Sequence, residues 1–185
     1  MEDSVEPLTC SIFTLKITDM NATIRHAIAS DSKAIITLIK ELALFEKESE
    51  SVALTEANIK EYGFGKKPLF ECLVAEVDNQ VIGIALFYSR FSTWKGPTFH
   101  LEDLIVTKNH KGRGYGTQLY SAFINYSQKK GVQRIEWNVL DWNTPAVKFY
   151  EKSGANVLQE WCTVQMDTDA MKSYFIQVKL LVISL

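Results

Sequence analysis

One feature constrains this chain most: an apolar, strand-like run that empties into three alternating glycines and then into a helical pattern. Leu101-Glu102-Asp103-Leu104-Ile105-Val106 is followed by Lys111-Gly112-Arg113-Gly114-Tyr115-Gly116-Thr117. A helix is expected from about Gly116 to Lys130, closed by Gly131. Glycine has no Cβ, so the loop can take positive φ and its backbone amides can approach a ligand closely. The first amides of a helix lack intrahelical acceptors, and the helix dipole adds partial positive charge there. Together they make a cradle suited to a phosphate or pyrophosphate. The spacing is neither G-x-x-x-x-G-K-[ST] nor G-x-G-x-x-G, so this is not a P-loop or a Rossmann turn. Taken alone, three glycines fit a tight strand–helix turn equally well.

The rest of the sequence narrows the class. A length of 185 residues suits one domain, and 46% apolar with 23% charged residues suits a buried core. Twenty basic against 22 acidic residues give a formal charge of −2, so no basic surplus points to nucleic acid or an anionic membrane. No apolar stretch reaches the roughly 18–20 residues of a membrane span. The Met1-Glu2-Asp3 start does not read as a secretory signal. Cys10, Cys72 and Cys162 are odd in number and widely spaced, which fits neither a disulfide framework nor a metal pair. Cys72 lies in an apolar run and reads as a buried, inert thiol. Cytoplasm is the expected location. His26, His100 and His110 show no ligand spacing, and no metal is expected.

Along the chain, residues 1–20 read as an N-terminal extension and 21–185 as the domain. Thr23 to Ala27 is a first short strand. Ser30 or Asp31 can cap a helix carrying Ile35, Leu38, Ile39, Leu42 and Phe45 at helical spacing. Thr55 caps a shorter helix, which stops at Gly63 and Gly65 through their freedom to take positive φ. Strands are expected at Phe70–Val77, Val81–Tyr88 and Phe99–Val106, the first two joined by the Asp78-Asn79 turn. Strand Arg134–Leu140, helix Thr144–Lys152 closed by Gly154, further strand-like segments and a short helix complete the pattern. The apolar Val178–Leu185 is read as a terminal strand or helix edge. The fold class is α+β, a mixed and mostly antiparallel sheet flanked by helices.

The loop resembles the R/Q-x-x-G-x-G/A segment of the GCN5-related N-acetyltransferases, with Lys111 in the R/Q position. Downstream, Asn143-Thr144-Pro145-Ala146-Val147-Lys148-Phe149-Tyr150-Glu151-Lys152-Ser153-Gly154 resembles that superfamily's N-x-x-A-x-x-F-Y-x-x-x-G pattern. Two motifs in the right order, within a likeness spanning roughly Thr23 to Met171, favour that fold. Ile39 to Ala43, Leu54 to Glu56, Gly63 to Gly65 and Leu101 to Asp103 are similar to the spermidine/spermine N-acetyltransferase family. Ser92-Thr93-Trp94-Lys95-Gly96 and Val139 to Asn143 are similar to its thialysine N-acetyltransferase branch.

The resemblance implies acetyl-CoA as cosubstrate, a small-molecule amine as acceptor and a homodimer. It implies cofactor contacts from the backbone of Leu104, Ile105 and Val106, from Lys111 to Thr117, and from Asn143, although Asn143 also suits a helix N-terminus. Substrate contacts are implied at Phe45, Glu46, Ser92, Thr93, Trp94, Glu102, Glu136, Trp137 and Asn138. Glu46 reads equally as an exposed acidic helix end. Trp161 could wall an amine channel with Trp94. Polyamine-selective relatives carry an aspartate and a proline where this chain has Ser92 and Thr93.

Amine acetylation must remove a proton from an ammonium whose ordinary pKa is about 10.4, and must stabilise a departing thiolate. Tyr150 is the candidate acid for that thiolate, with packing on the core as its plainer role. Glu102 is the candidate base, acting through water, with a solvated strand carboxylate as its plainer role. Strict alternation would put His100, Glu102 and Leu104 on one face and Leu101, Asp103 and Ile105 on the other. Glu102 and Asp103 would then not form a dyad. The alternatives are a protein N-terminal or lysine acetyltransferase of the same fold, and a non-catalytic acyl-CoA-binding module.

Overall fold

The computed structural model describes residues 22–174. The expected 1–20 extension and the apolar Val178–Leu185 lie outside the described residues. Contacts divide the chain into two compact units, one ending at Asn138 and one beginning at Val139.

The first unit is a five-stranded sheet ordered β1-β2-β3-β4-β5, with β1 Thr23–His26, β2 Glu71–Val77, β3 Gln80–Ser92, β4 Gly96–Val106 and β5 Arg134–Glu136. The first four strands pair antiparallel and β5 joins β4 in parallel, the expected mixed sheet. Asp78 and Asn79 both take positive φ, the backbone that a two-residue hairpin between twisted strands requires. The second hairpin is longer than its sequence signal, since β3 and β4 stay paired out to Ser92 and Gly96.

Helices cover both faces of the sheet. Helix α1 (Ser32–Phe45) and α2 (Glu56–Phe64) pack on one side, burying Ile35, Leu38 and Ile59 against Val74, Ile84 and Ile105. Helix α3 (Tyr115–Lys129) packs on the other, burying Leu119 and Phe123 against Ala85, Phe87 and Phe99. Strands covered on both faces need apolar residues at consecutive positions, which is why Cys72-Leu73-Val74-Ala75 does not alternate.

Three local expectations are corrected. Asp31 precedes α1 but does not cap it. Its carboxylate accepts from the Ile28 amide at 2.8 Å and from Arg25 at 2.7 and 3.1 Å, so the oxygens are committed elsewhere. Gly63 and Gly65 take no positive φ. A Cβ at Gly63 would sit 2.5 Å from the Phe70 ring, and one at Gly65 2.4 Å from the Glu61 carbonyl, so close approach selects glycine there. Strand β5 ends at Glu136 rather than Leu140, because its pairing with β4 stops there.

The second unit holds α4 (Thr144–Lys152), closed by Gly154 at φ +92°. Asn143 caps this helix, its side-chain oxygen accepting from the Ala146 amide at 3.4 Å. Among the described residues, no strand follows β5, and helix resumes only at 168–174. The further strands expected after Gly154 are therefore not found there.

Candidate active site

The site is organised by an irregularity in β4. Asp103 pairs with Leu86 and Leu101 with Phe87, leaving Glu102 as an extra residue. Such a bulge breaks the two-residue period and re-aims side chains. Leu101 and Leu104 consequently pack on the same core cluster, while Ile105 packs on the opposite one. This overturns the alternation expected from the sequence. The Glu102 charge also contributes to raising its neighbour Asp103.

The pair sits beside the end of α1. Burial, then the charges of Glu102 and Glu46, push Asp103 up to about 7, from an ordinary value near 3.8. Glu46, at the C-cap of α1, is also raised, by burial and by Glu48. Glu46, Glu102 and Asp103 thus form an acidic cluster that a cationic amine would relieve.

Around Glu102 the structure adds residues that motif reading passed over. The buried His100 places Nε2 3.7 Å from Glu102 Oε2, and its Nδ1 lies 3.2 Å from Arg90 Nη1. Arg90 also ion-pairs with Glu136, which Arg134 holds at 2.9 Å. Tyr88 stacks obliquely on His100 at 5.3 Å, and its hydroxyl is raised by burial and by Glu102. Only the adjacency of Glu102 and Asp103 was a usable signal in the sequence. The His100–Arg90 contact depends on hairpin register, which pairs Tyr88 with His100 and Arg90 with Thr98.

Among the described residues, β5 covers only part of the β4 edge. Parallel pairing with β5 covers only Thr98–His100, whereas β4 continues to Val106. Among the described residues, no strand pairs with that edge at Leu104, Ile105 and Val106. Main-chain donors and acceptors there can serve an extended, amide-bearing ligand.

The glycine loop follows directly. The Lys108 amide donates to Glu41 Oε1 on α1 at 2.7 Å, anchoring the turn that precedes the loop. Lys111 sets its ammonium 4.9 Å from the Phe45 ring centroid, which brings the loop and the end of α1 together. Gly112 and Gly114 have φ of +78° and +82°. A Cβ at Gly112 would meet nothing within 4 Å, so that face of the loop is open. Gly114 is the N-cap of α3 and no side chain caps the helix. The Gln118 amide donates to the Gly114 carbonyl at 3.1 Å and closes the first turn. The amides of Tyr115, Gly116 and Thr117 precede that bond. The Tyr115 side chain is buried, so it anchors the helix rather than meeting a ligand. Arg113 and Thr117 are exposed. These donors, two exposed cations and a helix N-terminus fit a pyrophosphate.

The other expected substrate residues divide. Ser92 accepts from the amides of Trp94 and Lys95 at 3.3 and 3.2 Å, so its hydroxyl helps shape the hairpin turn. Thr93 and Trp94 are exposed on that turn. Trp137 packs edge-on against Tyr120 at 5.8 Å, and Asn138 is exposed. In the second unit, Tyr150 lies in the last turns of α4, partly buried, edge-on to Phe149 at 5.4 Å. Trp161 is exposed.

The sequence profile of the GNAT family of acetyltransferases matches residues 34–155. The chain belongs to that family. This acetyltransferase is 37% identical over 160 residues to the thialysine N-epsilon-acetyltransferase of Mus musculus, covering 80% of this chain and 94% of that protein. It is 34% identical over 139 residues to the spermidine/spermine N(1)-acetyltransferase-like protein 1 of Homo sapiens, covering 71% of this chain and 20% of that longer protein. In three dimensions it is similar to an integron cassette protein from the mobile metagenome of V. cholerae. The TM-score is 0.69 at 20% identity, over 84% of this chain and 98% of that one. That likeness concerns the fold. Membership of the family makes this chain an N-acetyltransferase.

Proposed function

We propose that this enzyme transfers acetyl from acetyl-CoA to the side-chain amine of thialysine or a related lysine-like amino acid, with polyamines as poorer acceptors. The acidic cluster Glu46–Glu102–Asp103 beside the part of the β4 edge that β5 does not cover carries the reading. A cationic amine gains there, and an extended cosubstrate finds main-chain partners next to it. The name of the mouse relative supports the acceptor class.

Acetyl-CoA would supply the activated thioester. Tyr115, Gly116 and Thr117 would offer their amides, and Lys111 and Arg113 their charge, to its phosphates. Leu104, Ile105 and Val106 would offer their backbone to its amide-bearing arm. In this reading Glu102 accepts the ammonium proton through a water, freeing the amine's lone pair. The phenol of Tyr150 donates a proton to the departing thiolate. Asn143 would add a cofactor contact beyond its capping bond.

Selectivity rests on charge. Ser92 and Thr93 put neutral hydroxyl residues where a polyamine channel wants a carboxylate, so an acceptor bearing its own carboxylate is not repelled. One charge at a partly buried site is worth about 1–4 kcal/mol at 4 Å, enough for roughly tenfold discrimination. Turnover measured by thiol release is expected to give kcat/KM for thialysine at least tenfold above spermidine at one pH and salt. A spermidine preference overturns the acceptor assignment, and preference for a peptide amine favours a protein acetyltransferase. Cytoplasmic location and a homodimeric state complete the proposal. Two free cysteines among the described residues, Cys72 and Cys162, agree with a reducing compartment.

A further inference from the structure

The edge of the acidic cluster contains a second arrangement, built across three strands. His100 is only 7% exposed, yet both its ring nitrogens face charged side chains. A guanidinium has donors and no acceptor. At 3.2 Å from Arg90 Nη1, His100 Nδ1 must therefore accept. A neutral imidazole carries one ring proton, so that proton sits on Nε2. Nε2 in turn faces Glu102 Oε2 at 3.7 Å.

We propose that His100 is a positioning residue for Glu102: Arg90 fixes its tautomer, and the resulting Nε2–H orients the Glu102 carboxylate. The inference rests on the reading of Glu102 as proton acceptor. The bulge explains the need. It leaves Glu102 outside the regular ladder and half-exposed, held by side chains alone: the Tyr88 hydroxyl, which hydrogen-bonds it, and the His100 ring beside it. It also sets Glu102 against Asp103, and like charges so placed favour a shared proton. The 3.7 Å separation exceeds a formed hydrogen bond, and such contacts are commonly long before substrate arrives.

The surroundings keep His100 neutral. Facing the ring are Tyr88 and Arg90 from β3, Glu102 on β4, and Glu136 with its partner Arg134 from β5. Burial lowers the imidazole below its ordinary value and Arg90 adds to this, against the opposing pull of Glu102 and Glu136. A second ring proton would aim Nδ1–H at the guanidinium. Glu136, itself paired with Arg134, holds Arg90 in place, so the expected substrate contact Glu136 acquires a supporting role.

His100→Ala is expected to lower kcat/KM for the preferred amine about tenfold, the scale of a lost hydrogen bond to a charged group. The acidic limb of the pH profile should move to higher pH, with acetyl-CoA affinity unchanged. His100→Gln, which restores an N–H donor, should recover most of the loss. Arg90 is half-exposed, so Arg90→Met tests the device without emptying the core. It should move the pH profile the same way, and Arg90→Lys should move it less. Nitrogen-15 NMR should show Nε2–H at His100 in the wild type and mixed tautomers in Arg90→Met. An Nδ1–H or doubly protonated ring in the wild type at pH 7 overturns the inference. So does an unmoved pH profile in both His100→Ala and Arg90→Met. Glu102→Gln separates the two levels. Wild-type turnover in that variant removes the reading of Glu102 and this inference with it. A crippled Glu102→Gln beside an unaffected His100→Ala removes this inference alone.

Discussion

At the scale of the residue, Asp103 makes stability depend on pH. Its folded-state value of about 7 lies above the ordinary carboxylate value, so the native state binds the proton more tightly than the unfolded chain. The favourable contribution is complete below about pH 4 and is lost as pH rises toward 7, on the order of 4 kcal/mol in all. Asp103→Asn stays neutral throughout and should be more stable than the wild type at pH 8, with the two converging near pH 4. Urea midpoints at the two pH values measure this, and parallel changes in both proteins refute it. The sequence made the acid types legible, but not their relation. Nothing in Leu101–Val106 signals an inserted residue, and one insertion reassigns every later side chain to the other face. Alternation therefore failed at Glu102, the one position where the site needed it.

The elements were easier to read, because their signals are local. Glycine and proline punctuation, the Thr55 cap and the Asp78-Asn79 turn place α2, α3, α4 and the first turn closely, while β3 runs on to Ser92, four residues past the expected Tyr88. Signals that depend on distant partners misled. Asp31 looked like a cap, but Arg25, six residues earlier, claims its carboxylate. Arg134–Leu140 looked like one strand, but pairing ends at Glu136. The same locality supports a test of the loop. Gly114 combines positive φ with the N-cap of α3. Gly114→Ala should cost about 1 kcal/mol of stability from backbone strain and weaken acetyl-CoA binding modestly. Gly114→Asp adds a negative charge at the N-terminus of α3, within the proposed phosphate cradle, and should weaken binding at least tenfold beyond Gly114→Ala. Calorimetry that ranks the two variants equally would separate the loop from phosphate recognition.

For the whole molecule, the distribution of exposed apolar side chains bears on assembly. Phe91 and Trp94, on one hairpin, are 76% and 78% exposed. In the second unit Leu158, Trp161, Val164 and Met166 are all more than half exposed. Scattered apolar residues on a surface are ordinary, whereas exposed large side chains close together in sequence, as at Phe91 and Trp94, are candidates for contact with another chain. A second copy is the proposed partner, in keeping with the family resemblance. A twofold interface uses the same patch on both subunits, so each exposed residue would count twice. A stable interface needs about 800 Å² from each partner. Light scattering at micromolar concentration should give twice the 21.0 kDa of one chain. Trp94→Glu, on the hairpin tip and away from the buried core, should shift the mass toward the monomer with the fold retained. A monomer mass for the wild type overturns the dimer. A dimer unaffected by Trp94→Glu moves the interface off the hairpin, and Trp161→Glu then tests the 158–166 segment in the same measurement.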